Sequence, residues 1–309
     1  MSTFEVLLEQ IGLFVIYLLA GVILIKAKVL SSEMLEAISR YVVKMALPIL
    51  VFVNITDGVE KTTLIHSVPI LFITAGFYLF MLFCGFGMTK LFHLKGDKAG
   101  IFQAMSMFGN VGFMGIPIIT SIFPQNGILY ISVFTIIDQF MLWTLGVKFT
   151  TPQGEGKFNP KKLINPATVA ILLAVVLVLI EIRVPELLDM GLQKIGGTAS
   201  PLAMIYVGGI FASIHITKYL KEFALYGIVL TKMIIAPVLM FMILGLLSIS
   251  EEIRLTMSLI AGMPVMTSVV MMANTSGSDG DYAMGGVFIT TVCSIITLPF
   301  ICWFLQCIL

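Results

Sequence analysis

The sequence predicts an all-α polytopic membrane protein with ten transmembrane helices in two inverted five-helix repeats. Three observations predict it: the composition, the count of apolar spans, and an internal echo. Of 309 residues, 59% are hydrophobic and 11% charged, and the mean hydropathy is +1.06. A soluble domain is about 25% charged, so this chain lacks the polar surface that would keep it in water. The lipid bilayer is therefore its expected surrounding. A net charge of +1 gives no overall attraction to nucleic acid, which is not an expected partner.

A spanning helix needs roughly 20 mostly apolar residues. The expected spans are 6–26, 37–55, 67–91, 100–122, 127–149, 163–181, 198–216, 223–248, 253–274 and 283–306, numbered 1 to 10. Span 2 contains Arg40, Lys44 and Pro48, while spans 4 and 9 are interrupted by glycine and proline. The first charges, Glu5 and Glu9, are acidic and no small-residue cleavage site follows, so span 1 reads as a retained helix and not as a signal peptide. The division is 1–149 for the first repeat, 150–162 for a cytoplasmic loop and 163–309 for the second repeat.

Sidedness follows the cations. Connections 1–2, 3–4, 5–6 and 7–8 hold Lys26, Lys28, Arg40, Lys90, Lys95, Lys98, Lys148, Lys157, Lys161, Lys162, Lys218 and Lys221. The opposite side holds Lys61, Arg183, Lys194 and Arg254. The first set is expected in the cytoplasm, with both termini on the other side of a multi-pass cell membrane. Short loops point to a bacterial inner membrane.

The echo lies in spans 4 and 9. Gly115-Ile116-Pro117-Ile118-Ile119-Thr120-Ser121 reappears 147 positions later as Gly262-Met263-Pro264-Val265-Met266-Thr267-Ser268. Ala46-Leu47-Pro48 in span 2 reappears 153 positions later as Ala199-Ser200-Pro201 in span 7. Five helices per half would invert the second half, the plan of many secondary transporters. Proline removes an amide and clashes with a carbonyl one turn back, and glycine releases the chain from helical dihedrals. In lipid, the freed groups survive only against protein or a wet cavity. Gly109, Asn110, Gly112, Gly115 and Pro117 in span 4, with Pro264, Thr267 and Ser268 in span 9, therefore form the candidate substrate site. There, half-helix N-termini would offer free amides to an anion. The bland alternative is a proline kink with close glycine packing.

Single residues carry further expectations. Asn110 is an amide near the midplane, able to contact substrate or another helix. Asp138 and Lys232 are ionisable groups inside spans 5 and 8, a functional hypothesis by default. Asp138 fits a proton or Na⁺ coupling site, or a structural pair with Lys232 or Lys44; Lys232 fits attraction of an anionic cargo or neutralisation of Asp138. Lys44 fits snorkelling to the interface. Asn54 and Thr56 close span 2 as substrate-side groups or as caps. His66, His93 and His215 read as interfacial. Cys84, Cys293, Cys302 and Cys307 lack metal-ligand or CxxC spacing. No catalytic fingerprint occurs, so neither an enzyme nor a cofactor is expected.

Asn110 with Gly115-Ile116-Pro117, Pro264 to Ala273, Gln139 with Trp143, and Ala199 to Gly209 together make the chain resemble the auxin efflux carrier family over its whole length. The resemblance implies crossed broken helices 4 and 9, a small organic anion as substrate, and elevator-type alternating access. It makes helices 1, 2, 6 and 7 a scaffold and the rest a transport part, gives Gln139 a place beside the substrate, and implies a homodimer. Asn274, Thr275 and Ser276 depart from the charged and aromatic residues many relatives carry after the second crossover. The competing expectation is a channel-like facilitator or uniporter.

Overall fold

The structure is a computed structural model that describes residues 3–58, 60–61, 68–152, 166–213, 216–247 and 249–308. His66, His215 and most of the expected 150–162 loop, with Lys157, Lys161 and Lys162, lie outside the described residues. Among the described residues the secondary structure is helical throughout, apart from one isolated bridge, Gly109 with Val265.

Among the described residues, seven expected spans are helices long and apolar enough to cross a bilayer: Phe4–Lys26, Ser32–Asp57, Val68–Leu91, Gly127–Thr150, Glu186–Ser213, Phe223–Gly245 and Gly280–Ile308. Span 6 is the shorter apolar helix Pro166–Leu179. Spans 4 and 9 are each in two pieces. Gly96–Met107 is followed after Phe108–Asn110 by Val111–Ile122, and Glu251–Ala261 is followed after Gly262–Met266 by Thr267–Thr275.

Spans 2 and 7 begin earlier than hydropathy suggests. Each has an amphipathic lead-in, carrying Glu33, Glu36 and Arg40 in Ser32–Tyr41 and Glu186, Asp189 and Lys194 in Glu186–Gly197. The Ser31 hydroxyl caps the first of these by accepting from the Met34 amide at 3.3 Å, satisfying one of the helix's orphan donors.

The distribution of side chains is that of a chain in lipid. Ile16, Phe72, Phe83 and Ile296 are each more than half exposed, whereas Ser106, Asn110, Lys232, Thr256 and Thr290 are buried. Large exposed apolar surface is unfavourable in water and natural against acyl chains, where helices keep every backbone bond internal.

Proline is accommodated in a recurring way. The π turns Val42–Ala46, Val111–Gly115 and Val229–Ile235 each lead into an α-helix whose second residue is proline: Pro48, Pro117 and Pro237. A widened turn moves the carbonyl that the ring would strike and removes the need for the missing amide. At Gly115-Ile116-Pro117 the backbone therefore stays helical, with Gly115 at φ −64° and ψ −47°. Of the glycine, asparagine and proline set expected to interrupt span 4, the opening falls at Gly109 and Asn110, within Phe108–Asn110.

The chain forms two compact units, each drawn from both halves of the sequence. The first comprises Met1–Leu71, Gly112–Gln139 and Lys161–Ile214; the second comprises Phe72–Val111, Phe140–Pro160 and His215–Leu309. The resemblance had placed all of spans 4 and 5 with the transport part. In the structure Gly112–Gln139 goes with the first unit, because Ile116–Ile122 packs on Thr3–Lys26 and Gly112 lies against Leu47.

Within the first unit, spans 1 and 7 touch backbone to backbone. A Cβ on Gly208 would lie 2.0 Å from the Leu18 carbonyl oxygen, and one on Gly21 would lie 2.1 Å from that of Ile205. Small residues at such contacts are how membrane helices associate closely.

Polar contacts at the helix ends respect the charge-based grouping of loops. Lys98 pairs with Glu222 at 3.5 Å, joining connections 3–4 and 7–8. Lys61 pairs with Glu181 at 3.1 Å, joining connections 2–3 and 6–7. Each bond links two connections that the alternation of spans puts on one side.

Candidate functional site: the paired helix breaks

In the second unit the two interruptions face each other as an antiparallel bridge. The Asn110 amide donates to the Pro264 carbonyl at 2.7 Å, and the Met266 amide donates to the Phe108 carbonyl at 3.1 Å. The Val265 amide donates to the Thr290 hydroxyl at 3.0 Å, and that hydroxyl donates to the Gly286 carbonyl at 2.7 Å. Buried backbone groups must be paired; here each break supplies what the other lost.

Glycine is fitted to this approach, since a Cβ on Gly109 would meet the Met263 Cβ at 3.2 Å. Phe108, fully buried, anchors the first break against Tyr78, with ring centroids 5.7 Å apart.

The bridge uses part of the backbone donor capacity of the breaks. The amides of Asn110, Val265 and Met266 are consumed by the bridge and its support. The available donors lie just beyond. The helix Thr267–Thr275 starts without a side-chain cap, and the first amides of any helix have no partner within it.

Two polar side chains at the bridge are buried without a hydrogen-bond partner. They are the Oδ1 of Asn110, whose residue is 2% exposed, and the hydroxyl of Thr267, whose residue is 3% exposed. Such groups cost about 1–3 kcal/mol each when left unsatisfied. Ser268, next on the same helix, is half-buried.

Lys232 is completely buried, and its ammonium donates to the carbonyls of Ser106 at 3.1 Å and Met107 at 3.2 Å. A buried charge in a span is costly, about 2.5–3.5 kcal/mol on insertion scales. The carboxyl end of Gly96–Met107 offsets part of this cost through its partial negative charge.

The structure thus brings together Gly109, Asn110, Pro264 and Thr267, with Ser268 following on the same helix and Lys232 against the end of the first half-helix. Gly112, Gly115, Pro117, Asn54, Asp138 and Gln139 belong to the first unit. There the Gln139 amide donates to the Asp138 carboxylate at 3.2 Å, both residues being buried. Asn54 lines a separate cavity of about 410 Å³ with Asp57, Thr120 and Gln193. Lys44 is exposed, as snorkelling requires. Asn274 and Thr275 are exposed where the helix Thr267–Thr275 ends, followed by Gly277 at φ +74°. Their departure from the family pattern therefore falls at a helix exit and leaves the bridge itself unchanged.

Sequence reasoning missed Phe108 and Thr290. A phenylalanine and a threonine inside apolar spans carry no local signal, because their role depends on a partner far away in the chain.

Comparison with known proteins places the chain in a family. A family model described as membrane transport protein matches residues 6–302. The chain is 22% identical over 292 residues to "Uncharacterized transporter MJ1031" of Methanocaldococcus jannaschii, covering 90% of this chain and 92% of that one. It is 24% identical over 262 residues to "Uncharacterized transporter YfdV" of Escherichia coli, covering 80% and 81% respectively. With apolar helices throughout and a family match along nearly its whole length, the chain belongs to the membrane transport protein family, the auxin efflux carrier group, and is a multi-pass membrane transporter.

Proposed function

We propose that this transporter is a secondary carrier for a small organic anion, a mono- or dicarboxylate, bound at the paired breaks of spans 4 and 9. The observation that supports it most is the pair of buried, unpartnered groups on Asn110 and Thr267, side by side with the bridge. A hydroxyl can donate to a carboxylate. The Asn110 carboxamide offers Oδ1 in one orientation and its two N–H donors after a half-turn about its last bond. With the uncapped first turn of Thr267–Thr275, these donors make a neutral, directional cradle, and the buried Lys232 ammonium supplies positive charge nearby. Ligand binding then satisfies groups that the empty protein leaves wanting.

Access alternates by an elevator-type movement of the transport helices against a scaffold, in the cell membrane, with the chain acting as a homodimer and both termini outside the cytoplasm. The two five-helix repeats are inverted, so the two breaks enter the site from opposite faces.

Uptake of radiolabelled mono- and dicarboxylates into proteoliposomes tests this reading. Saturable, slow turnover that Asn110→Ala abolishes without lowering protein yield supports it. Rapid, unsaturable flux would establish a channel-like facilitator in its place.

A further inference from the structure

The two half-helices that run into the bridge end in different ways. Glu251–Ala261 closes on its own backbone: the Gly262 amide reaches the carbonyls of Ser258 at 3.2 Å and Leu259 at 3.1 Å, and the Met263 amide reaches that of Ile260 at 3.2 Å. Gly96–Met107 does not close on itself in this way. The Phe108 amide takes the Ala104 carbonyl at 2.9 Å, and the Phe108 carbonyl is taken by Met266. The carbonyls of Ser106 and Met107 are met instead by the ammonium of Lys232, from another helix. That lysine stands in the π turn Val229–Ile235, the kind of widened turn that collects at functional positions.

Carbonyls freed at a half-helix carboxyl end are the groups with which carriers built on broken helices hold a coupling cation. The partial negative charge there favours any cation. An ammonium is a compact point charge with three donors and no acceptor, so it can meet two carbonyls as a bound metal cation would, without dissociating.

We propose that Lys232 is a tethered cation: its ammonium occupies the carbonyl site at the end of Gly96–Met107 that a coupling ion would otherwise fill, so that the protein carries its anion without Na⁺. The absence of Na⁺ coupling rests on the carrier reading given above, whereas occupation of the cation site does not. Lys232 is a positioning residue in this account. It holds the first half-helix against the bridge and keeps a fixed positive charge beside it through every step of the cycle.

The test is thermal unfolding of the purified full-length protein at constant ionic strength in choline, sodium or methylammonium chloride. The wild-type protein is expected to unfold at the same temperature in sodium as in choline. Lys232→Ala is expected to unfold at a lower temperature in choline and to be raised saturably by methylammonium, which refills the vacated site. Lys232→Gln, which keeps the bulk without the charge, is expected to be lowered and not to be rescued. Saturable stabilisation of the wild-type protein by Na⁺ overturns the proposal, as does a Lys232→Ala protein that no cation restores. If Lys232→Ala yields no protein in any medium, the wild-type comparison decides alone. Failure to transport any carboxylate would remove the carrier reading while leaving these unfolding measurements able to judge the cation site.

Discussion

The same seven-residue pattern occurs twice in this chain and folds two ways. Around Pro117 the chain passes through a π turn and stays helical, and the Thr120 hydroxyl bonds back to the Ile116 carbonyl at 2.8 Å. Around Pro264 the helix is open from Gly262 to Met266, and the hydroxyl of Thr267 is buried with no partner. The carbonyl four residues before Thr267 belongs to Met263, inside the break, where helical geometry no longer aims it at the hydroxyl. Proline therefore permits unwinding without dictating it. The outcome is set by whether another segment offers partners for the freed groups, as Asn110 and Thr290 do for Pro264 and Val265.

That contrast can be broken by substitution, and the largest effect is expected at the site itself. Thr267→Val keeps the shape and removes the free hydroxyl. It should lower carboxylate uptake by about 100-fold, equivalent to about 2.7 kcal/mol of lost transition-state or binding free energy. Thermal unfolding should show the variant at least as stable as wild type, because an unsatisfied buried donor has been removed. Asn110→Ala should reduce uptake comparably, with its protein level unchanged on a gel-filtration trace.

Thr290→Val comes next. It deprives the Val265 amide of its acceptor, and an orphaned buried amide costs about 1–3 kcal/mol, measured as a lower unfolding temperature with partial loss of uptake. The smallest effects are expected at the helical twin. Thr120→Val and Pro117→Ala should each change stability by no more than about 0.5 kcal/mol, since no open backbone depends on either. A large loss of uptake in Pro117→Ala would show that the first copy of the pattern opens during the cycle.

Much of this was legible in the sequence. Long apolar runs located spans 1, 2, 3, 5, 7, 8 and 10, and the interruptions in spans 4 and 9 were visible as clustered Gly, Pro and Asn. Gly109 and Asn110 marked the first break, but which part of the longer Gly/Pro set stays helical was not legible. Pro117 is the salient residue in span 4, because a missing amide is a local property, but a π turn absorbs it. Asn110 opens the chain through a bond to the Pro264 carbonyl, a partner supplied by the second half of the sequence. Lys232 stood out as an ion inside a span, yet the carbonyls of Ser106 and Met107 that it reaches are main-chain groups, which carry no residue signature. The amphipathic lead-ins at Ser32–Tyr41 and Glu186–Gly197 escaped a hydropathy reading because their charged faces dilute the average.

Ligand-dependent thermal unfolding of three proteins in parallel tests the central claim most directly: wild type, Thr120→Val and Thr267→Val, each titrated with mono- and dicarboxylates. A ligand that binds only the folded state stabilises it by RT ln(1 + [L]/Kd), about 2.7 kcal/mol at a hundredfold excess over Kd. The paired-break account predicts that one carboxylate stabilises wild type and Thr120→Val equally and leaves Thr267→Val unmoved. Equal stabilisation of all three proteins would contradict it.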